Sequence, residues 1–227
     1  MLRLPYTAFR EQEADNLNRW REVGGLTDGF RPDNHTFGVD VVVFFVLPES
    51  ARVGLAKLSA AVGRAMPGCL TCTSSSLHIP ICARRISGVN LPSAGRTAAT
   101  VHGLLVQALR PAPGRPWLRI HGLTVTRSSV LARIDYDETL YGVRTAVIDA
   151  LFSGAAGYFT PGWNVTVPLM YARSAVNADS PAVTALGEVV RGGFSTGVLP
   201  VQAIGVGVLS RDSAVAELDF SHLIAPA

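Results

Sequence analysis

The strands and helices that the sequence predicts follow a similar order in both halves of the chain, and this order strongly constrains the fold. Residues 39–47 form an apolar, β-branched run that is typical of a buried strand. A helical spacing of apolar residues follows, with Ser50 as the expected N-cap. The strand SSSLHIPICARRI and a second helix over residues 96–109 complete the first half.

The second half repeats this kind of order. Two neighbouring strands, WLRIHGLTVT and SSVLARIDYD, precede a helix over residues 139–152 and the strand WNVTVPLMYARS. A helix over residues 180–191, with Pro181 in its first turn, and a terminal hairpin complete the pattern. Because strands neighbour each other within each half without strict β-α alternation, the sequence predicts an α+β fold with two lobes of similar build.

Composition argues against several classes of protein. The 227 residues are 48% hydrophobic and 16% charged, which is enough to bury a core without a metal or disulfide. The net charge of +3 is too small to predict nucleic-acid binding by itself. The longest apolar run has about half of the ~20 residues that a membrane helix needs, so we expect no membrane span. The N-terminal stretch MLRLPYTAFREQEADN has no apolar core and is soon acidic, so we expect no secretory signal. Three cysteines in a chain of this size indicate the reducing cytoplasm.

One stretch, CLTCTSSSLHIPIC, has the residue types of a zinc site. Cys69, Cys72, His78 and Cys82 are spaced C-x2-C-x5-H-x3-C. Alternation along a strand would place His78, Pro80 and Cys82 on one face, and an extended strand would separate His78 from Cys82 by ~13 Å. One zinc ion with bonds of ~2 Å cannot take both, so we predict no metal site and interpret the cysteines as core residues.

Two short strands share a pattern that indicates a common site. SSSLHIPIC and TPGWNVTVPL each have a turn-rich lead and an apolar strand with polar groups on alternate residues. His78 and Pro80 share a face in the first strand, as Asn164 and Thr166 do in the second. The separation is 164 − 78 = 86 residues, about one lobe of chain, so the two strands can line one groove between the lobes.

These features resemble the 2H phosphoesterase superfamily, which includes 2′-5′ RNA ligase-like proteins and RNA 2′,3′-cyclic phosphodiesterases. The resemblance rests on VDVVVFFVLPESARVGLAKL, SLHIPICARR, WLRIHGLTVTRSSVLARID, GYFTPGWNVTVPLMYARS and VQAIGVGVLSRD in this order. It implies a single bilobal domain over residues 38–227, in which each lobe is an antiparallel sheet with packed helices beside a central groove. Residues 1–37 fall outside the match, as an N-terminal extension with one short helix expected near residues 9–23.

The resemblance also implies a mechanism without metal or cofactor. Members carry one His-Φ-Ser/Thr-Φ motif in each lobe, where Φ is apolar. One histidine deprotonates the attacking water, the other protonates the leaving oxygen, and the hydroxyls hold the phosphate. This sequence differs from the family's motif at one position in each strand: Pro80 stands where the first motif has a hydroxyl residue, and Asn164 stands where the second has a histidine. His78, Thr166 and Asn164 are the candidate catalytic residues.

We therefore expect a divergent phosphodiesterase acting on cyclic phosphate or RNA-end substrates, with His78 as sole acid/base. The predicted substrate-binding residues are Pro80, Tyr158, Trp163, Arg84 and Arg173, and Tyr171 is a further candidate for a substrate wall. Two alternatives remain: a repurposed enzyme acting on a non-phosphate small molecule, favoured by the apolar Pro80, and a non-catalytic protein that binds a nucleotide, RNA or another ligand. A further alternative is a replacement histidine supplied from elsewhere, with three candidates: His35, His102 and His121. The sequence leaves the oligomeric state open.

Overall fold

A computed structural model describes residues 30–32, 37–86, 91–109, 115–126, 128–152, 160–161, 166–211, 215–220 and 222–225. Within these ranges the helices are α1 (Glu49–Ala65), α2 (Leu91–Ala108), α3 (Glu138–Phe152) and α4 (Pro181–Gly192). The strands are β1 (Val39–Val46), β2 (Leu70–Cys72), β3 (Ile79–Ile86), β4 (Trp117–Val125), β5 (Ser129–Tyr136), β6 (Thr160–Pro161), β7 (Thr166–Tyr171), β8 (Leu199–Pro200), β9 (Ala203–Ser210), β10 (Val215–Leu218) and β11 (His222–Ile224).

The strands form two sheets that are joined at one edge. The first sheet runs β6-β3-β1-β9-β10, with β11 also paired to β9. The second sheet runs β2-β7-β5-β4-β8, and the parallel pairing of β10 with β2 joins the two. Every residue of β1 is buried, as the apolar run in the sequence predicts.

The chain crosses between the two sheets as it proceeds. Helix α1 follows β1 of the first sheet but packs against β2 and β7 of the second. Helix α3 follows β5 of the second sheet but packs against α2 and against β3 of the first. Each sheet is therefore covered on one face by helices, since α2 packs on β1 and β9 and α4 packs on α1. This exchange explains why neither half of the sequence forms a lobe by itself.

Most of the predicted elements are present, and the differences are local. Helix α1 begins at Glu49, because the carbonyl of Pro48 accepts the first helical hydrogen bond from Arg52; the prediction of Ser50 as N-cap is wrong. Helix α2 begins five residues earlier than predicted, since Pro92 lies in its first turn, where no backbone donor is needed. Ser180 is the N-cap of α4 as predicted, and its hydroxyl accepts a hydrogen bond from the Ala182 amide.

Two predictions concern the N-terminal residues. The helix predicted near residues 9–23 lies outside the described residues, as does His35. Phe30, within the segment assigned to an extension, is fully buried and exchanges two backbone hydrogen bonds with Val176. This part of the segment therefore packs into the core of the domain. Among the described helices, none is long and apolar enough to cross a membrane.

Candidate functional site

The sequence predicts a groove, and the two sheet faces that carry no helices are the ones that can line it. On the first sheet, Cys82 is opposite Val43 and close to Arg144 of α3, which identifies the helix-covered face. On the second sheet, Thr71 lies against Gly63 of α1 and identifies the covered face there. The opposite faces carry the groove residues, which on the first sheet are Asp40, Phe44, Pro80 and Arg85, and on the second are Leu131, Arg133, Thr166, Pro168 and Tyr171.

His78 is buried immediately before β3, against the groove residue Phe44. Only 2% of its surface is exposed, and its ring meets the edge of Phe44 with a centroid distance of 5.3 Å. Its Nδ1 lies 2.7 Å from the carbonyl oxygen of Ser76. A carbonyl only accepts hydrogen bonds, so Nδ1 carries the proton and Nε2 of the neutral ring is the basic nitrogen.

The environment of His78 favours this neutral form. Burial lowers the pKa of His78 to about 4, the Ser76 carbonyl opposes this effect, and the charge of Arg211 lowers the pKa further. At neutral pH the His78 imidazole is therefore uncharged, with its proton on Nδ1.

A register shift in β3 separates two residues that the sequence predicted on one face. Pro80 lies opposite Phe44, whereas Cys82 lies opposite Val43, so Ile81 is an extra residue between them. Cross-strand partners share a face, and Phe44 and Val43 point to opposite sides. Pro80 therefore faces the groove, Cys82 faces the helices, and the prediction that Pro80 and Cys82 share a face is wrong.

Thr166 begins β7 and lies opposite Arg133 on the groove face of the second sheet. It is buried, with 5% of its surface exposed. The other predicted residues of this motif, Asn164, Trp163 and Tyr158, lie outside the described residues. The structure thus places Thr166 on the groove side of its sheet and His78 against the groove residue Phe44.

The two groove faces meet at a buried ion pair that the sequence analysis did not predict. Arg211, just after β9, pairs through Nη2 with Asp40, and Nε of Arg85 lies 2.7 Å from the same carboxylate. The Arg211 guanidinium also lies over the Tyr171 ring of the second sheet, 5.4 Å from its centroid. A single carboxylate inside the apolar strand VDVVVFFV was the available signal, because a buried charge requires a partner.

Tyr171, the further candidate for a substrate wall, lies on the groove face beside this ion pair. Burial is the main cause of a raised pKa for its hydroxyl, and the nearby Cys72 adds to it. The charge and hydrogen bond of Arg211 act in the opposite direction. The Tyr171 hydroxyl therefore keeps its proton, and its oxygen accepts a hydrogen bond from Arg211 at the junction of the two lobes.

The predicted arginines occupy different positions. Arg84 lies opposite Val41 on the helix-covered face of β3, whereas its neighbour Arg85 faces the groove beside Asp40. Arg173 follows β7 and lies over the Phe37 ring, with 5.5 Å between the guanidinium carbon and the ring centroid. Arg85 therefore lies on the groove face beside the ion pair of Asp40 and Arg211.

The histidines considered as replacements for the missing one lie in different parts of the fold. His102 and His222 stack on each other with centroids 5.2 Å apart, on α2 and β11. His121 of β4 lies instead on the second sheet, with Nε2 3.0 Å from Oδ1 of Asp135. His35 lies outside the described residues.

The cysteines are buried and are not arranged as a metal site. Burial raises the pKa of Cys72 and of Cys82 to about 12 in each case. All three cysteines are free thiols. Within the described ranges, no three His, Cys, Asp or Glu side chains converge in a way that could hold a metal ion.

Comparison with known proteins establishes the fold. No protein-family model matches the chain, and no curated protein matches it in sequence. The crystal structure of TT0787 from Thermus thermophilus superposes with a TM-score of 0.54 at 16% identity, covering 82% of this chain and 97% of that chain. Escherichia coli LigT complexed with 3′-AMP gives a TM-score of 0.49 at 12% identity, with 83% and 98% of the two chains covered. The likeness to TT0787 confirms the predicted two-lobed α+β fold.

Proposed function

We propose that this chain is a divergent 2H phosphoesterase-like protein that opens a cyclic phosphate or acts on an RNA-end substrate in the groove. The observation that carries this proposal is the hydrogen bond between His78 Nδ1 and the Ser76 carbonyl, because it leaves Nε2 as a base with a fixed orientation. His78 is the one residue of the two motifs whose side chain is an imidazole that can accept a proton, since the Asn164 amide has no titratable group.

His78 Nε2 would take a proton from the water that attacks phosphorus. Because burial keeps the imidazole neutral, the base form is present throughout the neutral range. The same burial makes Nε2 a weak base, so the proton transfer has less driving force than at an exposed histidine. We therefore expect slow turnover.

The remaining groove residues supply charge stabilisation. The Thr166 hydroxyl can donate to a phosphate oxygen, and Arg85 provides positive charge on the facing sheet. Pro80 provides no hydroxyl at the position where the first motif would have one. Loss of one such donor costs ~10² to 10³ in rate, and loss of one proton-transfer group costs ~10² to 10⁴.

A second candidate is a groove that takes an apolar small molecule. It is supported by the surroundings of His78, where Phe44 meets the imidazole and Phe220 meets Phe44 with a centroid distance of 5.2 Å. Pro80 extends the same apolar wall. Binding of such a ligand would change little with salt, whereas binding of RNA would weaken steeply as salt rises.

The test is hydrolysis of 2′,3′- and 3′,5′-cyclic nucleotides by the wild type and by His78→Ala. His222→Ala, which changes a histidine far from the motifs along the chain, is the matched control. We expect hydrolysis that is lost in His78→Ala and retained in His222→Ala. Hydrolysis that survives His78→Ala would remove the assigned role of His78, and no turnover by the wild type would favour the apolar-ligand or non-catalytic alternatives.

A further inference from the structure

The groove face of the second sheet holds a histidine outside the two motifs. His121 lies in β4, two residues after Arg119, and Arg119 is the direct partner of Asp135 in β5. Residues two apart in a strand share a face, so His121, Arg119 and Asp135 lie on the same side of the sheet. Gly122 follows with a φ of +64°, in the left-handed region that favours glycine, where the β4–β5 register shifts.

The same face carries Thr166. Asp135 and Arg133 are two apart in β5, and Arg133 is the direct partner of Thr166 in β7. Adjacent strands are ~4.8 Å apart, so the backbones of His121 and Thr166 are separated by about two strand spacings, or ~10 Å. Arg133 of β5 lies between them.

His121 is held by a carboxylate. Its Nε2 is 3.0 Å from Oδ1 of Asp135, and the other carboxylate oxygen is 2.6 Å from Nη2 of Arg119. The His121 contact with Asp135 has the distance of a polar contact without the alignment of a hydrogen bond. Nε2 itself is buried, whereas the side chain as a whole is 31% exposed, which leaves Nδ1 as the nitrogen available to a ligand.

We propose that His121 is the second proton-transfer group of the groove and takes over the role for which Asn164 is unsuited. Asp135 positions it, in the way that a carboxylate orients an imidazole in many hydrolytic sites. This inference rests on the proposed function, since it concerns the same cyclic phosphate and the same groove.

The two histidines have complementary environments. His78 is buried against Phe44 and has a basic Nε2, whereas His121 is accessible and lies beside a carboxylate. Pairs of titratable groups in contrasting environments are typical of acid–base sites. Elements on both sides of His121 present charged or polar groups to it: Arg119 from its own strand, Arg133 and Asp135 from β5, and Ser195 from the segment that bridges to it.

The reaction balances with one water. His78 Nε2 takes a proton as water oxygen bonds to phosphorus, the bond from phosphorus to one ribose oxygen breaks, and protonated His121 gives a proton to that oxygen. The products are a ribose hydroxyl and a phosphomonoester. The proton gained by His78 and the proton lost by His121 exchange with solvent, which restores both groups.

The experiment measures kcat and KM for a 2′,3′-cyclic nucleotide from low to high pH. The variants are His121→Gln and Asp135→Asn, with His222→Gln as the matched control. We expect His121→Gln to lower kcat by ~10² to 10⁴ with little change in KM. Because the acid must hold its proton, wild-type log(kcat/KM) should fall toward high pH, and His121→Gln should lose this fall. Asp135→Asn should lower kcat in the same direction by less.

A purely structural role makes a different prediction. Circular dichroism and thermal unfolding check that each variant folds, and added imidazole should partly restore kcat to His121→Ala, which a folding defect would not allow. His121→Gln with wild-type kcat and an unchanged pH profile, beside an inactive His78→Ala, would overturn this inference and leave the proposed function standing. A wild type without any hydrolysis would overturn both.

Discussion

The buried, neutral state of His78 has a measurable consequence for stability. In the folded chain the pKa of His78 is lowered to about 4 from the ordinary 6.5. Between these two pH values the unfolded chain binds more protons than the folded chain, so acidification favours unfolding. Neutral His78 therefore makes its full contribution to the free energy of unfolding above about pH 6.5, and this contribution is lost as the pH falls toward 4.

The magnitude follows from the size of this shift. A difference of one pKa unit corresponds to about 1.36 kcal/mol, so the whole effect amounts to about 3 kcal/mol. Between pH 7.5 and pH 5.0 this difference in proton binding lowers the free energy of unfolding by about 2 kcal/mol. Most carboxylates titrate below this pH range. His78 is 2% exposed, so solvent screening reduces this figure little.

The perturbation is His78→Asn, which keeps a donor near the Ser76 carbonyl but cannot titrate. Urea unfolding followed by circular dichroism gives the free energy of unfolding at several pH values. We expect the wild type to lose about 2 kcal/mol more than His78→Asn between pH 7.5 and pH 5.0. The control His222→Asn should follow the wild type. Equal pH dependence in the wild type and His78→Asn would refute the reasoning, because His78 would then titrate as it does in the unfolded chain.

Three further predictions concern the structure around the groove. Asp40→Asn leaves the buried Arg211 without its carboxylate and should lower the free energy of unfolding by ~3 to 5 kcal/mol; a change below ~1 kcal/mol in urea unfolding would contradict this. Gly207→Ala places a methyl group against a backbone carbonyl oxygen and should cost ~1 to 3 kcal/mol, whereas Gly103→Ala in α2 has open space and should stabilise by up to ~1 kcal/mol. Cys82, buried and with its pKa raised to about 12, should react with a thiol reagent only after unfolding, and rapid reaction in the native state would argue against its burial.

The long periodic elements could be predicted from the sequence because their signals are local. The strand from Val39, the hairpin of β9 and β10, and helix α4 with its Ser180 cap all follow from apolar period and capping residues. The exchange of α1 and α3 between the sheets could not be predicted, since it depends on which face each helix covers and not on the period of its own residues.

The candidate site was predictable only in part. The motif residues His78 and Thr166 could be selected from residue type and alternation, but the face of Pro80 relative to Cys82 depends on one extra residue in β3, which a period of two cannot reveal. The pair of Asp40 and Arg211 joins residues 171 positions apart, and no local pattern relates them. The position of His121 beside Asp135 depends in the same way on pairing between strands.

The central claim is that His78 acts as the base on a phosphoester in the groove. The most direct measurement is ³¹P NMR of a 2′,3′-cyclic nucleotide incubated with the wild type and, in parallel, with His78→Asn. We predict that the cyclic phosphate signal converts to a phosphomonoester signal only with the wild type. Equal conversion by both proteins, or none by the wild type, would contradict the claim.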